Sequence, residues 1–283
     1  MRKKYLRFFV LLFASLFFTA CSQLQFAIVN APLSFSDTEL IKNIVFTDKS
    51  KDIGLDIISP SNPMNAPVIV FFYGGSWKEG AKENYHFVGN YFAELGYIVV
   101  IPDYRKYPRV KFSDFMEDGA EALEWTNNNI AKYGGNRGAI NVMGHSAGAL
   151  IGALLATDER YLHAKIEIKS FIGLSGPYDF VPTEEDFVDM FGPPANYPNM
   201  QVTTFIDGQE PPMLFVYGEK DDVVGRSNLT KLSKALEDEG NVFETIFYPD
   251  LDHADTVASL TWIYEHKAPV GKEIAAFMDK KAQ

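Results

Sequence analysis

The chain alternates short apolar runs with stretches whose apolar residues recur at helical spacing. Val68-Ile-Val-Phe-Phe72, Tyr97–Ile101, the run around Ile140, Val142 and Met143, Ser170–Leu174, Pro212–Tyr217 and Val242–Tyr248 are near-continuous in apolar residues. That is the pattern of strands covered on both faces. Between them, Glu83–Leu95 repeats Phe87, Tyr91, Phe92 and Leu95 before Gly96, and predicts a helix. Further helices are expected over Phe112–Ala131, over the small-residue stretch with Ala149, Gly152 and Ala153, over Arg226–Glu239 and over Lys267–Asp279. Asn43–Thr47 and Ile53–Ser59, around the polar turn Asp48–Lys51, read as an antiparallel hairpin at a sheet edge. Strands alternating with helices predict an α/β fold: a mainly parallel sheet, right-handed crossovers and helices on both faces. Residues 176–211, rich in Pro, Asp and Phe, are long for a connection and read as a small cap or pocket wall, or as a surface excursion.

The first residues follow another pattern. Arg2, Lys3, Lys4 and Arg7 precede an apolar stretch from Phe8 to Phe18, and Thr19-Ala20-Cys21 ends it with small residues. This is a secretory signal, short of the ~20 apolar residues that span a bilayer. The chain is expected to divide into a signal at 1–20, a tether at 21–42 and one folded domain at 43–283. Hydrophobic residues make up 47% and charged residues 22%, so a core of ordinary size is available. The net charge of −11 excludes a nucleic-acid partner, which needs a basic face. Removing residues 1–20 takes away four basic and no acidic residues, leaving 22 against 37 and a net charge of −15. Cys21 is the single cysteine, so no disulfide forms within the chain.

Candidate chemistry gathers at Gly144-His-Ser-Ala-Gly148, between an apolar run and a small-residue stretch. A Gly-x-Ser-x-Gly in that setting is a nucleophile elbow, with Ser146 in a strained turn and the N–H of Ala147 beside it at a helix N-terminus. A nucleophilic serine needs a base and a carboxylate to orient it, and in this fold they follow in the order Ser, Asp or Glu, His. His86 and His163 come too early, and His145 cannot fold back onto its neighbour's hydroxyl. His266 sits where the last helix begins, which leaves His253, in the loop after the last apolar run, as the base. For the acid, Asp221 and Asp222 both follow a strand end, and Glu219 is a third candidate. Tyr73-Gly-Gly-Ser-Trp77, directly after a strand, supplies backbone N–H groups of the kind that stabilise an oxyanion.

These stretches together, with Asp103-Tyr-Arg105 and Gly134-Gly-Asn-Arg137, resemble the α/β-hydrolase superfamily over roughly residues 43–280. More narrowly they resemble the carboxylesterase branch that includes esterase/lipases, feruloyl esterases and kynurenine formamidase-like enzymes. The resemblance implies the triad Ser146, Asp221 and His253, the aspartate being the one three residues before a valine, here Val224. It also implies oxyanion donors at Gly75, Ser76 and Ala147, and a small-molecule ester as substrate with no metal or cofactor. Tyr73 departs from the branch, which usually carries His there, and puts loop geometry and substrate range in question. Aryl formamides or thioesters are alternative substrates for the same triad, and a silent ligand-binding surface protein is the alternative outside enzymes. The residues up to Cys21 resemble a bacterial lipobox, apart from Phe18 in place of the usual Leu. That implies a lipid anchor on Cys21 in the cell envelope. Ser22 after it points to the outer membrane, facing the periplasm, in a diderm.

Overall fold

The structure is a computed structural model and describes residues 24–162 and 166–281. Eight strands form one sheet in the order β1-β2-β4-β3-β5-β6-β7-β8. They are β1 Thr38–Ile44, β2 Leu55–Pro60, β3 Ala66–Phe72, β4 Ile98–Pro102, β5 Gly135–His145, β6 Ile168–Leu174, β7 Met213–Gly218 and β8 Phe243–Tyr248. β2 runs antiparallel to β1 and β4, and every other pairing is parallel. The expected α/β-hydrolase architecture is the one observed.

Strands β3, β4 and β7 are near-continuous in apolar residues because both faces are covered. Phe71 and Phe72 point to opposite faces, as successive strand residues must. The Phe71 ring packs towards Tyr85, 5.9 Å away, at the start of the helix His86–Glu94. Phe72 faces Gly119 of the helix Phe112–Asn129, where an added Cβ would lie 3.5 Å from the Phe72 ring. The helix Val270–Lys281 joins the first of these layers, where Gly271 lies against Tyr91. The helix Ala147–Thr157 joins the second, with Ile151 and Leu155 against Gly119. Ser227–Asp238 forms the remaining long helix, and these helices fall within a few residues of the spans the sequence predicts.

Two expectations are corrected. The first strand of the hairpin is Thr38–Ile44, not Asn43–Thr47. Asn43 sits at φ 57, the pairing with β2 is irregular between Ile41 and Ile44, and Val45 is 74% exposed. The β-branched run that looks like a strand lies past its end. Part of the tether expected at 21–42 is likewise in the folded body. Residues 38–42 belong to β1, and Asn30 is clamped to the segment leading into the helix at His86. Its Nδ2 donates to the Glu83 carbonyl (3.0 Å) and its Oδ1 accepts the Phe87 N–H (2.7 Å). The signal segment and Cys21 lie outside the described residues. No helix among the described residues is long and apolar enough to cross a membrane.

Residues 176–211 form the helix Glu185–Phe191 and two 3₁₀ turns, Pro194–Asn199 and Val202–Phe205. The Val202 N–H donates to the Tyr178 carbonyl (2.9 Å), which folds the excursion back onto its own start.

Candidate active site

Strand β5 ends at His145 and a helix begins at Ala147, so Ser146 alone makes the turn, at φ 53 and ψ −122. A non-glycine residue held there stores about 1–3 kcal/mol of strain, and its surroundings must over-determine it. They do so by close approach. A Cβ on Gly144 would lie 2.3 Å from the Gly148 carbonyl oxygen, and one on Gly148 would lie 2.1 Å from that of Phe72. The Ser146 N–H donates to the Leu174 carbonyl at the end of β6 (2.9 Å).

The Ser146 Oγ lies 2.8 Å from His253 Nε2, and His253 Nδ1 lies 2.9 Å from Asp221 Oδ2. A carboxylate only accepts, so Nδ1 carries the proton and Nε2 is the acceptor for the serine hydroxyl. Asp221 follows β7, and its other oxygen accepts the N–H groups of Val223 (3.0 Å) and Val224 (2.8 Å). Burial alone would raise the Asp221 carboxyl, but the His253 hydrogen bond and these N–H groups outweigh it and hold the group below the usual aspartate value. Asp222 is exposed, and Glu219 lies 3.6 Å from Arg226. His86 is bonded to Asp56 of β2, and His266 is exposed. The structure thus brings together Ser146, His253 and Asp221 from the sequence candidates and leaves Asp222, Glu219, His86 and His266 apart.

The loop after β3 reaches the same place. Gly75 has φ 134, and Ser76 and Trp77 follow at φ 50 and φ 57. The Gly75 carbonyl accepts from the N–H groups of Lys78 (2.9 Å) and Glu79 (3.0 Å), which winds the loop so tightly that a Cβ on Gly75 would lie 2.2 Å from the Glu79 oxygen. Among the described residues, the N–H groups of Gly75, Ser76 and Ala147 meet no protein acceptor. A Cβ on Gly74 would lie 3.0 Å from that of Ser146, so this loop abuts the elbow. Ser76 and Ala147 border the same cavity as Ser146, and their N–H groups with that of Gly75 are the candidate oxyanion donors.

A cavity of about 620 Å³ opens here, bordered by Ser76, Trp77, Ser146 and Ala147 on one side. Pro177, Phe180, Pro182 and Phe187 of the 176–211 excursion, with Val223 and Val224, form the facing wall. Trp77 is buried and meets Phe191 edge-on at 5.0 Å, so the glycine loop and the wall share an aromatic core. Lys78 pairs with Asp186 (2.7 Å) and lies 4.8 Å over the Phe187 ring. Among the described residues, no group of His, Cys, Asp or Glu is arranged to hold a metal ion.

Sequence reasoning discards His145, and the structure gives it a part. Its Nε2 donates to the backbone carbonyl of His253 (3.1 Å), and the two rings are 5.1 Å apart. Burial first, and then the neighbouring His253, lower the His145 pKa to about 3, so it stays neutral beside the candidate base. The signal in the sequence is a lone imidazole closing an apolar strand; its partner, 108 residues away, leaves none.

Comparison with known proteins follows the same lines. The BD-FAE family model matches residues 55–236. The isoprenylcysteine alpha-carbonyl methylesterase ICME of Arabidopsis thaliana is 28% identical over 253 residues, covering 78% of this chain and 58% of the relative. Esterase LipQ of Mycobacterium tuberculosis is 28% identical over 210 residues, covering 67% of this chain and 49% of LipQ. The chain spans about half the length of these curated relatives. Esterase B of Lactobacillus rhamnosis superposes with a TM-score of 0.76 at 18% identity, covering 93% of this chain and 96% of that one. A truncated carbohydrate esterase from gut microbiota gives a TM-score of 0.75 at 18% identity, covering 86% and 96%. Those two likenesses speak for the fold, and the family match spans both the elbow and Asp221. This chain belongs to the BD-FAE family and carries the α/β-hydrolase fold.

Proposed function

We propose that this protein is a serine hydrolase that cleaves carboxylic esters through an acyl-enzyme intermediate. The observation that carries the reading is the unbroken line Asp221–His253–Ser146, with steps of 2.9 and 2.8 Å, ending at the cavity. Ser146 Oγ attacks the ester carbonyl as His253 Nε2 takes its proton, and Asp221 stabilises the imidazolium. The N–H groups of Gly75, Ser76 and Ala147 receive the negative charge that forms on the carbonyl oxygen. The imidazolium then gives its proton to the departing alkoxide, which leaves as an alcohol. Water, deprotonated by the same ring, attacks the acyl group, the carboxylic acid leaves and the Ser146 hydroxyl is restored. The apolar wall of Phe180, Phe187, Val223 and Val224 suits an uncharged acyl or alcohol group.

A fluorophosphonate probe tests the nucleophile. Labelling of the parent at Ser146, absent in Ser146→Ala, is expected; a folded parent that takes no label would mean a silent binding protein. Matched oxygen-ester, thioester and aryl-formamide substrates test the bond, and the oxygen ester should give the highest kcat/KM. The same reading keeps the enzyme in the cell envelope through lipid on Cys21. Palmitate incorporation that disappears in Cys21→Ala would support that anchor, and incorporation that persists would refute it.

A further inference from the structure

Tyr73 stands at the root of the glycine loop, where the chain departs from the esterase pattern, and it is fully buried. Its ring lies between those of Tyr85 (5.4 Å, 11°) and Tyr104 (4.9 Å, 26°). The hydroxyl donates to Asp103 Oδ1 (2.7 Å) and accepts from Lys106 Nζ (2.9 Å). Asp103 has further partners: its Oδ1 accepts the Lys82 backbone N–H (3.1 Å), and its Oδ2 lies 3.1 Å from Lys82 Nζ. The Tyr73 carbonyl accepts from the Tyr104 hydroxyl (3.0 Å), and Lys106 Nζ also donates to the Tyr104 carbonyl (3.1 Å). Both the main chain and the side-chain tip of Tyr73 are thus tied to the segment after β4. The next residues on are Gly74, packed against Ser146, and the donors Gly75 and Ser76.

We infer that the Tyr73 hydroxyl is a positioning residue for the oxyanion site, holding the Gly75–Ser76 donors in register with Ser146 through Asp103 and Lys106. This rests on the serine-hydrolase reading above. A buried tyrosine between two rings would keep its place by packing alone, so the hydroxyl contributes direction more than anchorage. It is pinned by an acceptor and a donor on different residues, which fixes where the long axis of the ring points, while the stacked Tyr85 and Tyr104 rings fix the rotation about that axis.

Tyr73→Phe tests this with little risk to folding, because Asp103 keeps Lys82 and Lys106 keeps the Tyr104 carbonyl. Parent and variant are compared on a p-nitrophenyl ester, with active sites counted by phosphonylation carried to completion. The expected result is a kcat per titrated site lower by about 10-fold with KM within twofold, a part of what losing a whole oxyanion donor costs. A trifluoromethyl ketone, which forms a tetrahedral oxyanion on the serine, should bind more weakly by the same factor as kcat/KM. Asp103→Asn should lose less, and the double variant should lose no more than Tyr73→Phe alone. An unchanged kcat per titrated site, or a loss explained wholly by fewer titrated sites, would overturn the inference. A parent that takes no phosphonyl group would overturn the hydrolase reading together with it; a labelled parent with an unaffected variant overturns this inference alone.

Discussion

At the elbow, backbone touches backbone. Gly144, Gly148 and the Phe72 carbonyl are so close that no side chain fits between them, and the Ser146 N–H is tied to β6. Across the cavity, the segment from Pro177 to Phe191 is held by rings and charges. Phe180, Phe187 and Phe191 pack on Trp77, Lys78 pairs with Asp186, and Lys111 pairs with Asp189. The first arrangement has no tolerance, since a single methyl group collides. The second can be re-made with other side chains of similar shape, each worth about 1 kcal/mol or less for an exposed ion pair. Geometry that the reaction needs in the same form for every substrate is set in the main chain. Geometry that depends on the substrate is set in exchangeable side chains.

Substitutions separate the two regimes. Asp221→Asn keeps the shape of the site but favours the wrong imidazole tautomer, and kcat should fall about 10⁴-fold, read by ester hydrolysis at saturating substrate. Gly148→Ala should cost several kcal/mol in chemical denaturation, with a loss of activity beyond the loss of folded protein, because the clash lies under the nucleophile. If it were tolerated like a surface change, the contrast between the two regions would fall.

His145 belongs to the locked region, and its effect should appear as a pH dependence. Its folded pKa of about 3 lies below the ordinary imidazole value of 6.5. The unfolded chain therefore binds the extra proton first, and the contribution of the neutral ring is fully present above pH 6.5. It is lost as pH falls towards 3, at up to about 1.4 kcal/mol per pH unit. The stability gap between parent and His145→Gln, measured by urea titration from pH 7 to pH 4, should narrow as the solution is acidified. A constant gap would contradict a buried neutral imidazole.

Changes to the wall should be smaller and should fall on binding. Phe187→Ala should raise KM severalfold for larger acyl chains while kcat stays within about twofold, since binding shared by ground and transition states moves KM alone. Lys78→Ala, or high salt on the parent, should change kcat/KM by less than about fivefold. A kcat loss from Phe187→Ala as large as that from Gly148→Ala would show that the wall also sets catalytic geometry.

The sheet was legible because it obeys rules of period, and the candidate Ser146, Asp221 and His253 because they obey a rule of order. Buried parallel strands are continuous apolar runs, and the acid and base follow the serine along the chain. What was not legible depends on distance in sequence. The strand at Thr38–Ile44 was hidden by Val45 and Phe46, which read as strand but lie beyond the break at Asn43. The use of His145 depends on a carbonyl in the loop after β8, and that of Tyr73 on a carboxylate after β4. Such contacts are created by the fold and leave no periodic trace. Between Asp221 and Asp222 the residues alone were undecided; the difference is that one turns inward to take two backbone N–H groups and an imidazole.

Gly75, Ser146, Asp221 and His253 come in that order along the chain, and β8 lies between the last two. A ribosome or an export channel releases the chain from its N-terminus, and the early strands can begin to associate before the end has emerged. Throughout that interval Ser146 lacks the His253 imidazole that stands 2.8 Å from its hydroxyl in the folded chain, and the matched family segment, ending at residue 236, stops short of it as well. On the proposed serine-hydrolase reading the site is therefore assembled in two instalments, the hydroxyl early and the imidazole after the final strand. A chain cut anywhere before His253 would carry the serine and its glycines but would lack the group that arms them.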